Sequence, residues 1–231
     1  EAATTPMTRA IFVNSPANPS GWVASRETLQ EILLFARRHR LWIIADEIYS
    51  RFVYDGTARA PSFLDIAEPQ DRVVYVNTFS KNWAMTGWRM GWIHAPVALR
   101  QTLENLIHYS TCGVAQFMQQ AGVVALNEGE WYIEHTVERA RVGREIVSKE
   151  FQHHNRVIYT EPAGAFYSFF RVEGLENAKE TAFRLIDEAA VGTAPGDAFG
   201  SNGDGFVRIC FARSPESLGD AMARIGRFLG S

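Results

Sequence analysis

The sequence predicts an α/β protein, with part of a mostly parallel sheet flanked by helices and a smaller α+β segment at the C-terminal end. Three observations carry that prediction. Short, unbroken apolar runs at Arg9 to Asn14, Leu41 to Ala45 and Val73 to Asn77 have the length and β-branching of buried strands. The first two are separated by a stretch of helical period, which makes a βαβ unit and hence parallel pairing with a right-handed crossover. The last hundred residues change character, to strand, turn, strand, helix, strand and helix. We place the domain division at 1–128 and 129–231.

The chain in order supports each element. Ile11, Phe12 and Val13 dominate the first strand, which runs into the loop Ser15 to Trp22 with its two prolines and glycine. Ser25 is a plausible N-cap; Leu29, Ile32, Leu33 and Ala36 then recur at helical spacing, and Arg37 to Arg40 suit a helix C-terminus. The second strand stops at Asp46 and Glu47, and the third ends in the hydroxyls and lysine of Thr78 to Lys81. Met90 to Ala95 reads as a short further strand, antiparallel after a tight turn at Gly87. Helical pattern fills Pro96 to about Asn127, broken near Cys112 and Gly113, and a long helix runs from Gly129 or Glu130 to about His153. Beyond it, strands at Arg156 to Thr160 and Ala165 to Val172 precede a helix at Lys179 to Ala190. The strand Phe206 to Ala212 and a helix ending near Leu229 complete the chain.

Composition narrows the function classes. With 231 residues, 46% hydrophobic, 21% charged and a formal net charge of −3, the chain can bury a substantial core and has no basic excess for nucleic acid. Its two cysteines, Cys112 and Cys210, lack metal-ligand spacing and read as reduced thiols of a cytoplasmic protein. His153 and His154 are adjacent and do not share a helix face, so no metal site is expected. No apolar run reaches membrane-spanning length, and no signal-peptide core opens the chain.

Three strands thus deliver their loops to one carboxyl edge, where open α/β sheets bind ligands. Those loops carry Asn18, Asp46, Tyr49, Lys81 and Arg89. A lysine on the rim of a buried strand is partly desolvated and suits service as a base or amine nucleophile, able to form a Schiff base with an aldehyde cofactor. Thr78, Ser80 and Arg89 are donors of the kind that hold a phosphate, and an aspartate on a neighbouring strand can keep a pyridine nitrogen protonated. Tyr49 and Asn18 can bond a phenolic oxygen. These parts add up to a pyridoxal 5'-phosphate site. The competing readings are ordinary ones: Asp46 as a helix N-cap, Tyr49 as core, Arg208 in a structural ion pair. Gly196 to Gly205 lacks a P-loop lysine and reads as turns.

The blocks Asn18-Pro19-Ser20-Gly21, Ala45-Asp46-Glu47-Ile48-Tyr49, and Ser80-Lys81 followed by Met85-Thr86-Gly87-Trp88-Arg89 resemble the signature of class I/II aminotransferases, the fold-type-I pyridoxal-phosphate enzymes. Their order and spacing fit as well, with 46 − 18 = 28 positions from Asn18 to Asp46 and 81 − 46 = 35 from Asp46 to Lys81. The resemblance extends to Phe206-Val207-Arg208-Ile209. It implies an aminotransferase-type large-domain sheet and a small C-terminal domain. It implies Lys81 as the Schiff-base lysine and proton carrier, Asp46 on the pyridine nitrogen, and Tyr49 and Asn18 on the cofactor's O3'. Thr78, Ser80 and Arg89 would hold the phosphate, and Arg208 would clamp the substrate α-carboxylate.

The implied reaction moves an amino group between an amino acid and a 2-oxo acid, in the aspartate, alanine and aromatic branch, by a homodimer when full-length. β-Elimination on the same scaffold is the alternative chemistry. Family members are longer, so the resemblance also implies that an N-terminal part precedes Glu1, carrying earlier strands, a phosphate-binding turn, an aromatic ring over the cofactor and a residue for the partner subunit. Without that part the chain would be a non-catalytic fragment with an exposed sheet edge and apolar surface.

Overall fold

A computed structural model describes residues 1–230. The chain forms two compact units. The first comprises Glu1–Pro16, Val23–Arg51 and Ala58–Glu134; the second comprises Ala17–Trp22, Phe52–Thr57 and His135–Ser231.

The first unit holds a four-stranded sheet in sequence order, β1 (Ala10–Asn14), β2 (Trp42–Asp46), β3 (Val73–Thr78) and β4 (Gly91–His94). β1, β2 and β3 are parallel, and β4 returns antiparallel to β3. Between β1 and β2 runs α1 (Arg26–His39), started by Ser25, whose hydroxyl accepts the Thr28 N–H, and ended by Arg40 in the left-handed region at φ 55°. Its Leu29, Leu33 and Ala36 fall at i, i+4 and i+7 and pack with Val13, Ile43, Val73 and Tyr75 into one core cluster. Those strand residues sit on the buried alternation of each strand, which fixes the register. A short helix α2 (Phe79–Asn82), α3 (Arg100–Ser110) and α4 (Gln116–Glu128) complete the unit. The break between α3 and α4 falls at Cys112 and Gly113, both at positive φ.

β4 and the two helices leave much apolar surface in water. Trp92 and Ile93 of β4 are exposed, as are Leu106 and Ile107 of α3 and Val123 and Val124 of α4.

The long helix α5 (Glu130–Phe151) begins in the first unit, where Arg51 grips the Glu130 carboxylate with both guanidinium edges, and runs on into the second. The second unit has an antiparallel sheet ordered β5, β6, β8, β7, from β5 (Val157–Tyr159), β6 (Tyr167–Val172), β7 (Ala194–Pro195) and β8 (Phe206–Cys210). The two-residue β7 lies in a stretch read from sequence only as loop, because two residues carry no periodicity. Helices α6 (Ala178–Ala189) and α7 (Pro215–Gly230) bury one apolar stripe each, Leu185 and Ala189 on the former, Leu218, Met222 and Ile225 on the latter. The two inserted segments join this unit through backbone pairing. Ala165 N–H donates to Phe52 C=O at 2.9 Å, and Gly164 N–H to Gly21 C=O at 2.9 Å.

Candidate active site

In the first unit, parallel pairing brings the ends of β1, β2 and β3 to one edge. Asn14 and Asp46 are register partners there, and the Asn14 side-chain amide donates to the Asp46 carboxylate at 2.8 Å. The other carboxylate oxygen of Asp46 accepts the Ile48 N–H at 3.4 Å, so the side chain caps the turn that follows β2. The capping reading of Asp46 therefore holds, with its second oxygen held by Asn14. Asn14 was not among the residues singled out from sequence; the equal ends of two parallel strands are the signal that finds it.

Tyr49, at the end of that turn, is 2% exposed. The Lys81 ammonium lies 5.6 Å from its ring centroid, within cation–π range. Lys81 stands on α2 rather than in a loop. β3 ends in Thr78, whose hydroxyl accepts the Ser80 N–H at 3.0 Å and donates to the Met90 C=O at 3.1 Å. That cap turns the chain into a single helical turn at the strand end and presents Lys81 from it. Three residues later Ala84 takes positive φ, and Arg89 does the same at φ 53° with its guanidinium donating to the Thr86 C=O at 3.0 Å. Arg89 is exposed and keeps further N–H donors for an anion. The Thr78 proton, in contrast, already goes to Met90, so contact with a phosphate requires that bond to be exchanged. Ser80 is buried.

α4 braces this turn from behind. Gly122 lets the helix approach so closely that a Cβ there would sit 3.0 Å from the Met90 methyl and 3.2 Å from the Phe79 ring.

Asn18, although its loop follows β1 in sequence, belongs with Arg208 to the second unit. The reason is Gly21, at φ 71°, where an added Cβ would fall 2.2 Å from the Pro162 Cβ. Only glycine allows the Asn18–Gly21 loop to lie against residues 162–164. Arg208, central in β8, donates through Nη1 to the Asn18 side-chain oxygen at 2.7 Å. Its guanidinium lies 4.3 Å from the Tyr167 ring centroid and 4.7 Å from that of Phe199. Its Nε is buried without a hydrogen-bond partner. Two rings and one amide thus fix a planar cation and leave donor capacity unspent, which is the arrangement that suits a bidentate carboxylate. Among the described residues no ion pair involves this arginine. Tyr167 and Phe199 were missed in the sequence, the latter because the glycine-rich 196–205 stretch reads as plain turns. That stretch does form two 3-10 turns, closed on each other by the near contact of Gly196 and Gly203.

A family model described as aminotransferase class I and II matches residues 1–225. The chain belongs to the class I and II aminotransferase family. Its relatives include an aromatic-amino-acid aminotransferase of Thermococcus litoralis, 35% identical over 99% of this chain and 59% of its own length. An aspartate aminotransferase of Thermotoga maritima is 37% identical over 97% of this chain and 57% of its own. Among solved structures, an aromatic aminotransferase from Pyrococcus horikoshii matches with a TM-score of 0.93 at 35% identity, over 99% of this chain and 62% of that one. The chain thus spans about three-fifths of the length of the curated relatives it matches.

The family depends on pyridoxal phosphate, and the donor chemistry here fits that group. A primary amine beside a phenol, a carboxylate anchored by an amide, and the exposed Arg89 guanidinium with donors to spare are all present.

Proposed function

We propose that the full-length protein is a pyridoxal-phosphate-dependent aminotransferase exchanging an amino group between an amino acid and a 2-oxo acid, in the aspartate, alanine and aromatic branch. The observation that carries this reading is Lys81 on its capped turn beside the buried Tyr49, in a family member that keeps the signature blocks in order. When bound, pyridoxal phosphate supplies an electron sink that stabilises negative charge at the substrate Cα.

The chain's own residues supply the rest. Asp46, oriented by Asn14, would hold the pyridine nitrogen protonated, and Tyr49 and Asn18 would donate to the ring oxygen. Thr78, Ser80 and Arg89 receive the phosphate. Lys81 would be the attachment point and, when released, the base for the Cα proton. Arg208, close to the rings of Tyr167 and Phe199, would orient the α-carboxylate. We further propose a cytoplasmic homodimer as the working form, and no turnover by the 231 residues alone. The support for the last point is the three-fifths coverage of the relatives and the bare apolar faces of β4, α3 and α4.

The test is covalent trapping. Full-length protein incubated with pyridoxal phosphate and reduced with borohydride should carry the cofactor on Lys81 by peptide mass spectrometry, and Lys81→Ala should carry none. Failure of the unmodified protein to take up the cofactor would overturn the reading. Transamination by the isolated 231 residues would overturn the claim that they do not turn over.

A further inference from the structure

Glu47 stands between Asp46 and Tyr49 in sequence and is 8% exposed. Neither of its side-chain bonds goes to the candidate site. One carboxylate oxygen accepts the Ser62 hydroxyl at 2.6 Å and the other accepts the Phe63 N–H at 3.1 Å. Ser62 in turn caps the 3-10 turn Phe63–Asp65, whose Asp65 is gripped by Arg59 at 2.9 and 2.6 Å. Phe63 itself is 1% exposed, part of the cluster beneath the sheet. Backbone bonds add to the same seam, with Ala60 N–H donating to Ser50 C=O at 2.8 Å and Glu47 N–H to Val76 C=O at 3.1 Å.

The turn that follows Asp46 and carries Tyr49 is therefore fastened to the core by one buried carboxylate as well as by backbone bonds. Burial pushes the Glu47 carboxyl above its usual range despite both hydrogen bonds, and Asp65 adds to the rise while Arg59 opposes it. A buried acid is a costly way to close a loop that an apolar contact would close as well. What it provides instead is direction, since two hydrogen bonds fix a backbone that a hydrophobic contact would let slide.

We propose that Glu47 is a positioning residue that sets Asp46 and Tyr49 against the cofactor ring, through Ser62 and the Phe63 N–H. This rests on the cofactor reading above. Asp46 stabilises the protonated pyridine nitrogen in proportion to its closeness, so a loosened turn must alter how the bound cofactor titrates as well as how tightly it binds.

The experiment uses full-length protein with pyridoxal phosphate, following cofactor affinity and the pH at which the bound cofactor's absorption changes. Glu47→Ala and Ser62→Ala should each weaken affinity about tenfold, the effect of roughly one lost charged hydrogen bond, and move that pH by about half a unit or more. Glu47→Gln, which can still accept the Phe63 N–H and can donate to Ser62, should return both to within about twofold. Asp71→Asn is the control, because Asp71 is a buried carboxylate before β3, at the opposite end from Thr78. It should lower thermal stability and leave the absorption titration unmoved. Unchanged titration in both alanine variants would overturn the proposal, as would an equal movement in Asp71→Asn. Lack of cofactor uptake by the unmodified protein would instead strike the underlying functional reading.

Discussion

Arg208 shows how much of a role is carried by a side chain's surroundings. Its guanidinium is held by Asn18 and two aromatic faces, and its buried Nε has no partner. Arg208→Lys keeps the charge but loses the plane and the fork. We expect KM for the amino-acid substrate to rise by about tenfold to a hundredfold in the full-length enzyme, with a smaller change in kcat, measured by steady-state kinetics. Phe199→Ala should give a milder increase of the same kind. A fall in kcat with KM unchanged would place the arginine's contribution elsewhere. The arginine itself was legible in the sequence through its Phe-Val-Arg-Ile setting. Phe199 was not, because nothing local says that a glycine-rich turn will lay a ring on β8. Gly21 is a related case. Gly21→Ala would force a Cβ into Pro162 at a positive φ and should displace the Asn18 loop, lowering cofactor affinity and thermal stability together.

At the scale of elements, the sheet is tied at both ends by unlike means. At the amino end of β3, Arg37 of α1 donates to Asp71 at 2.7 and 2.6 Å, and this bond holds the Asp71 carboxyl below its usual range. A depressed carboxylate adds stability above its unfolded pKa, and that stability is lost as pH falls through the folded one. The Arg37 side chain is 38% exposed, so we put the cost of Asp71→Asn at only about 1–2 kcal/mol near neutrality. In urea titrations, the gap between parent and variant should narrow below pH 4, and a constant gap would count against this account. Glu47 has the opposite sign. Its folded pKa is raised, so the native chain binds more protons and stability falls as pH rises from the ordinary carboxylate range through the raised one. Glu47→Gln should therefore compare more favourably with the parent at pH 7 than at pH 4. At the carboxyl end, α4 leans on Phe79 and Met90 across Gly122. Gly122→Leu should push the Lys81 turn out of place, with a loss of lysine-bound cofactor that Gly122→Ala shows only partly.

At the scale of the whole molecule, the apolar surface of β4, α3 and α4 is the feature with consequences. Trp92, Ile93, Leu106, Ile107, Val123 and Val124 add up to more exposed hydrophobic side chain than a free protein comfortably keeps in water. The isolated 231-residue polypeptide should bind a hydrophobic dye and self-associate in sedimentation. Ile93→Lys with Val124→Lys should reduce both. A monomer without dye binding would show that this surface is tolerated as it stands. None of the four-residue patterns in α3 or α4 announces that exposure, since an apolar stripe reads the same whether it is covered or bare.

The sequence by itself determined the βαβ start, the antiparallel return of β4, the helix break at Cys112 and membership of the aminotransferase family, because periodicity, caps and signature residues are local properties. Lys81, Asp46 and Tyr49 were singled out as candidates for the same reason. Tertiary structure alone decided that Asn14 anchors Asp46, that Thr78 spends its proton on Met90, that Glu47 fastens the turn behind the site, and that two rings flatten Arg208. It also decided that Asn18 accepts a hydrogen bond from Arg208, 190 positions away in the chain. These are pairings between distant segments, set by strand register and by how closely a glycine lets two backbones approach.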